Sequence, residues 1–194
     1  MNEIAKMIIV LSVITGLSGL TLAGLKQATA VPIEEQVLKY VQSPVLKQVL
    51  AGCENDPVKE RKKVAGPDGK TVMVFPAKKG GKLYAVAFEV MGKGYGGDLG
   101  VVTGFDVGSD TVLTIGITTS KETPGLGSRA AEPAFARKFQ KHSLDKIALR
   151  SAGGDIDGIA GATVSSSGVT NAVSEAAGLY KALKPQILKE FSAG

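Results

Sequence analysis

Nineteen consecutive residues without a charge, Met7 to Leu25 (MIIVLSVITGLSGLTLAGL), bracketed by Lys6 and Lys26, constrain this chain more than any other feature. As an α-helix rising about 1.5 Å per residue, the run spans about 28 Å, close to one hydrocarbon core. A single N-terminal transmembrane helix is therefore expected, with residues 1–26 as the anchor and residues 27–194 as the body. Ala28-Thr29-Ala30 has the small-residue spacing of a signal-peptidase site, and Lys6 supplies a weak basic n-region. The apolar run is longer than the usual h-region of a cleaved signal, which favours retention. Lys6 and the terminal amine on one side nearly balance Lys26 and Lys39 on the other, so the positive-inside rule does not orient the span. The default for an N-terminal signal-anchor puts the body outside.

Taking away residues 1–26, which hold Lys6, Lys26 and Glu3, leaves 21 basic and 17 acidic residues, an ordinary balance for a soluble domain. The formal charge of +5 is spread along the chain and points to no nucleic-acid partner. One cysteine, Cys53, excludes an intrachain disulfide and the usual cysteine-ligated zinc or iron–sulfur sites. One histidine, His142, excludes a histidine cluster, so no metal site is expected. Cys53 lies in a polar turn and reads as incidental. His142, at the end of a basic segment, reads as solvated or as a helix-terminus partner.

Apolar residues at Val37, Leu38, Val41, Val45, Leu46, Val49 and Leu50 have helical spacing broken by Pro44, which predicts a two-part helix ending at Gly52. Residues 53–70 are polar and rich in turn signals (Asn55-Asp56-Pro57, Gly66-Pro67-Asp68-Gly69), and the Lys59–Lys63 cluster reads as solvated surface. From Thr71 the period becomes that of strands: TVMVFPA, KLYAVAFEV, LGVVTGFDV and TVLTIGITT, joined by short turns such as the one at Lys78-Lys79. Four strands in succession imply an antiparallel meander. Helices are expected over Ala130–His142 and from about Ser165 to Phe191. The body is thus α+β, an antiparallel central sheet flanked by helices and preceded by one transmembrane helix.

Three loops lie between these elements. Gly92-Lys93-Gly94-Tyr95-Gly96-Gly97 holds four glycines in six residues, suited to a turn or to close approach of a planar ligand. Glu122-Thr123-Pro124-Gly125-Leu126-Gly127 is a stiff connection that opens with a carboxylate and a hydroxyl. Asp157-Gly158-Ile159-Ala160-Gly161-Ala162-Thr163-Val164-Ser165-Ser166-Ser167-Gly168 leads into the C-terminal helix, where backbone amides and partial positive charge suit a phosphate. Thr163 and Ser165–Ser167 would also serve as N-caps without any ligand.

In this order the three loops resemble the FMN-binding domain shared by the G subunit of the Rnf electron-transport complex and the C subunit of the sodium-pumping NADH:quinone reductase. In that family a flavin transferase recognises Asp, two variable residues, Ser or Thr, Gly, Ala, Thr. Asp157, Gly161, Ala162 and Thr163 match this pattern, and Ala160 departs from it where a hydroxyl residue is usual. The Glu122–Gly127 run matches a second family motif residue for residue, and the Gly94–Gly97 loop resembles a third. A single span followed by a body of this length resembles the G subunit more than the longer C subunit.

The resemblance implies that Thr163 carries FMN through a phosphoester. It also implies that Glu122, Thr123, Leu126 and Gly127, with Gly161, Ala162, Val164 and Ser165 around the acceptor and Tyr95 and Gly96 on another side, form the flavin site. No separate catalytic acid or base is implied. The partners would be the other membrane subunits of an Rnf-type complex, the flavin transferase during maturation, and the membrane. The rival readings are a C subunit of the quinone reductase, a membrane-anchored module holding a phosphorylated ligand without covalent chemistry, and a structural component whose loops are only turns.

Overall fold

The computed structural model describes residues 2–67, 69 and 71–191. The chain divides into two compact units, Met1–Tyr40 and Val41–Gly194. In the first, helix α1 (Glu3–Val37) passes through Pro32 and buries no residue in the protein. The hydroxyls of Thr15, Thr21 and Thr29 are satisfied within the helix, each donating to the carbonyl four residues back at 2.8 Å. A helix this apolar and this exposed is long enough to cross a bilayer. It extends well past Lys26, and Ala28-Thr29-Ala30 lies inside it.

Leu38–Gln42 forms one π-helical turn, followed by helix α2 (Ser43–Val49) with Pro44 in its first turn, where a missing N–H costs nothing. The irregularity expected at Pro44 falls instead at the π turn before it, with Pro44 in the first turn of α2, and the helix ends at Val49 rather than at Gly52. Five strands follow, β1 (Lys62–Ala65), β2 (Thr71–Lys79), β3 (Lys82–Lys93), β4 (Asp98–Asp106) and β5 (Thr111–Thr119), in an antiparallel sheet of order β1-β2-β3-β4-β5. Strand β1 is absent from the sequence expectation. Only Val64 of its four residues is buried, so it lacks the apolar alternation of the others. The lysines of the Lys59–Lys63 cluster are exposed, with contacts at the strand's edge: Lys62 lies over the Phe191 ring and donates to the Glu190 carbonyl at 2.9 Å. Lys78 and Lys79 end β2, and the turn itself is Gly80-Gly81, with Lys78 paired to Glu60 at 2.9 Å. Asp68 of the expected turn lies outside the described residues.

Helix α4 (Thr163–Phe191) crosses β3 and β4 on one face of the sheet, and α2 covers β4 and β5 on the other. Strand β4 is therefore buried on both faces from Leu99 to Phe105. In the core, Phe88 and Phe105 lie 5.2 Å apart, and Phe105 stacks on Tyr180 of α4 at 4.7 Å. The Tyr180 hydroxyl donates to Asp110 at 2.8 Å, and burial together with that carboxylate pushes its pKa up.

The helix expected over Ala130–His142 is instead three short pieces, a 3-10 turn Gly127–Ala131, helix α3 (Pro133–Ala136) and a 3-10 turn Arg137–Phe139. Glu132 is extended (ψ 145°), as a residue before proline prefers, and Lys141 is left-handed at φ 60°. Phe135 and Phe139 still reach the core from these turns, which explains the helix-like spacing.

Candidate functional site

Helix α4 begins at Thr163, and the residue before it, Ala162, takes the cap position: its carbonyl accepts the Ser166 amide at 2.9 Å. An alanine cap offers no side-chain acceptor, so the amides of Thr163, Val164 and Ser165 gain no capping partner among the described residues. Two of the three serines expected as caps are spent elsewhere. Ser165, 1% exposed, donates to Glu122 Oε2 at 2.5 Å. Ser166, 0% exposed, accepts from the Ile159 amide and donates to the Ala162 carbonyl, both at 2.9 Å. Thr163 is exposed, and its hydroxyl makes no hydrogen bond among the described residues.

Around Thr163 the three loops converge on one cavity of about 550 Å³, lined by Tyr95, Glu122, Thr123, Leu126, Gly127, Gly161, Ala162, Thr163, Val164 and Ser165. Gly96 does not line it; its amide donates to Glu122 Oε1 at 2.9 Å behind the wall. The Glu122–Gly127 loop is internally braced, since the Leu126 and Ser128 amides both donate to the Thr123 carbonyl at 3.2 Å and the Gly125 amide donates to the Ser128 hydroxyl at 2.9 Å. Gly125, at φ 76°, supplies the left-handed residue that such a turn needs. Tyr95 is 77% exposed, and Leu126 and Val164 are also large apolar side chains left open at the rim. None of the ten lining residues is basic, and the charged one among them is Glu122.

Asp157 stands away from this cavity. Its carboxylate pairs with Arg150 at 3.1 Å and its carbonyl accepts from Lys138 at 2.8 Å, so two basic residues with no motif of their own hold the start of the acceptor loop. Two residues earlier, Asp155 pairs with His142, Nε2 to Oδ1 at 2.6 Å, while Nδ1 donates to the Ser143 carbonyl at 2.7 Å. Both partners are acceptors, so the two contacts are both made only when both ring nitrogens carry protons, which favours the charged imidazole. Burial opposes that charge, but Asp155 and the Ser143 carbonyl hold the His142 pKa above its usual value. The histidine side chain is 11% exposed, not solvated as its place in the sequence suggests.

The backbones of β3 and α4 also meet directly: a Cβ on Gly168 would overlap the Lys93 carbonyl, and one on Gly92 would overlap the Gly168 carbonyl. This contact sets the acceptor turn against the Gly94–Gly97 hairpin, and Gly168 is the residue by which the sequence could have shown it.

The FMN-binding domain family model matches residues 94–178, which take in Gly94–Gly97 of the first loop and the whole of the other two. The G subunit of the ion-translocating oxidoreductase complex of Salmonella typhimurium is 34% identical over 190 residues, covering 92% of this chain and 90% of that protein. The G subunit of the proton-translocating ferredoxin:NAD(+) oxidoreductase complex of Clostridium ljungdahlii is 31% identical over 144 residues, covering 71% and 77%. The match to the corresponding G subunit of Stutzerimonas stutzeri, 31% identical, covers 60% of that protein. Among solved structures, the C subunit of the Na(+)-translocating NADH-quinone reductase of Parabacteroides distasonis superposes with a TM-score of 0.56 at 19% identity, over 84% of this chain and 96% of that one. At that identity the likeness establishes the fold, whereas the sequence relatives establish the lineage: this chain belongs to the G-subunit family of ion-translocating oxidoreductase complexes.

Proposed function

We propose that this chain is the electron-relay component of a membrane-bound Rnf-type complex, with FMN joined to Thr163 by a phosphoester. The observation that carries the reading is the contrast among the hydroxyls of the acceptor loop. Thr163 is exposed in the cavity and unbonded among the described residues, while Ser165 and Ser166 are buried and engaged. A modifying enzyme would reach the threonine and not the two buried serines.

The cavity favours a tether over reversible binding. Strong phosphate sites use Arg or Lys in charge-assisted bonds, and none lines this one. The helix N-terminus contributes about 0.3–1 kcal/mol toward an anion, which is less than tenfold in affinity. A non-covalent phosphorylated ligand would be weakly held, and a phosphoester at Thr163 removes the need for a cation. When bound, FMN would supply the redox chemistry through its ring. The chain's own residues hold and shield: the amides of the first turn of α4 face the phosphate charge, and Tyr95, Leu126 and Val164 offer apolar surface that excludes water. Thr123 and Gly127 line the same cavity. In this reading Asp157, Gly161, Ala162 and Thr163 are what the flavin transferase recognises, α1 anchors the protein, and the body lies on the extracytoplasmic side beside other membrane subunits of the complex.

The test is to produce the full chain together with a flavin transferase and to examine it after denaturing electrophoresis under ultraviolet light. A fluorescent band is expected, absent in Thr163→Ala and retained at least in part in Thr163→Ser. A wild-type band without fluorescence despite an active transferase would refute covalent attachment.

A further inference from the structure

We infer that Glu122 is a positioning residue: its buried carboxylate, engaged by the protein on both oxygens, fixes the acceptor turn and the two glycine loops in one arrangement. Glu122 is 8% exposed, and its partners are neutral donors from different loops. Oε1 accepts from the Gly96 amide at 2.9 Å, and Oε2 accepts from the Ser165 hydroxyl at 2.5 Å. Among the described residues it has no ion pair, so burial of its charge is compensated by these hydrogen bonds and by the nearby N-terminus of α4.

The glycines around it are the independent observation. A Cβ on Gly94 would overlap Oε1, and a Cβ on Gly127 would overlap Oε2. Two glycines that look like room for a ligand are room for this carboxylate. One side chain thus ties the β3–β4 hairpin, the loop after β5 and the second residue after Thr163 to a single point. Removing it leaves the Gly96 amide and the buried Ser165 hydroxyl without these partners, at loops with no other shared polar contact of this kind among the described residues.

This inference concerns the flavin site proposed above and rests on that reading for one of its two readouts. The full chain is compared with Glu122→Ala, Glu122→Gln and Ser165→Ala, measuring amide hydrogen exchange in the protein before flavin loading and the rate of loading per folded molecule with the transferase. In Glu122→Ala, exchange at Gly96 and at Ser166, whose amides are hydrogen-bonded in the wild type, should rise about tenfold, and loading should fall about tenfold. Glu122→Gln should recover both to within about threefold, because its oxygen can accept from either donor and its amide can donate to the Ser165 hydroxyl. Ser165→Ala should speed exchange at Ser166 and leave Gly96 unchanged, which keeps the test open if Glu122→Ala does not fold. Wild-type exchange at both places in Glu122→Ala, or equal defects in the Ala and Gln variants, would overturn the inference. If the wild type takes no label while exchange responds as described, the covalent reading fails and the positioning role stands.

Discussion

Gly168 and Gly178 lie on the same helix ten residues apart, and they should respond to alanine with opposite sign. Around Gly178 nothing stands within 4 Å of a new Cβ, so Gly178→Ala gains helix propensity and should stabilise the domain by about 0.5–1 kcal/mol. At Gly168 the same gain meets the Lys93 carbonyl, a backbone atom that cannot turn aside, and an overpacking cost of about 1–3 kcal/mol outweighs it. Urea midpoints of the two variants check this directly; a stabilised Gly168→Ala would mean that β3 and α4 are not in backbone contact. Residue by residue, the sequence was most legible for exposed loop positions, as at Thr163, which lines the cavity where its motif meets the other two loops. It misled where a side chain is spent inward. Ser165 and Ser166 look like caps but bond Glu122 and the Ile159 and Ala162 backbone, contacts that depend on loops 43 and a few residues away. Gly96 was expected at the flavin and instead supports Glu122 from behind.

At the scale of elements, the segment between β5 and α4 has little regular structure but carries the His142–Asp155 pair, and its stability should follow pH. The His142 pKa is raised in the folded state, so its contribution is complete below the unfolded value of about 6.5 and is lost as pH rises through the higher folded value. The Asp155 pKa is lowered by the same contact, so its contribution is lost only on acidification below the ordinary carboxylate range. Urea midpoints measured from about pH 6 to 9 should therefore decline for the wild type, and His142→Gln should flatten the decline. An unchanged slope in that variant would show that the pair does not couple to folding. Regular elements with strong periodicity, β2 to β5 and α4, could be read from the chain because alternation and three-to-four spacing each report a buried face. The failures have a common cause. Strand β1 carries three exposed residues to one buried, so it reads as surface, and Phe135 and Phe139 mimic a helix although Glu132-Pro133 breaks it.

For the molecule as a whole, α1 exposes the uncharged stretch Met7–Leu25 to whatever surrounds it, and no residue of the helix is buried in the protein. If the anchor is retained, the chain should stay in membranes after an alkaline carbonate wash, and the mature protein should still yield peptides from Met7–Leu25. Loss of those peptides, with a new N-terminus near Ala30, would show cleavage at Ala28-Thr29-Ala30. The division of labour would then be an anchor that places the domain and a sandwich of α2, sheet and α4 that presents Thr163 on a rigid turn. The family could be read from three loops because their backbone demands are severe; the sheet's second helical cover, α2, could not be assigned its place, since it depends on packing across β4 and β5. The central claim is that Thr163 bears the flavin, and mass spectrometry of the proteolysed full chain, purified from membranes that also contain the transferase, tests it most directly. The peptide containing Gly161–Gly168 should carry the mass of one FMN less one water, localised by fragmentation to Thr163. An unmodified peptide, or the same mass on another residue, would contradict it.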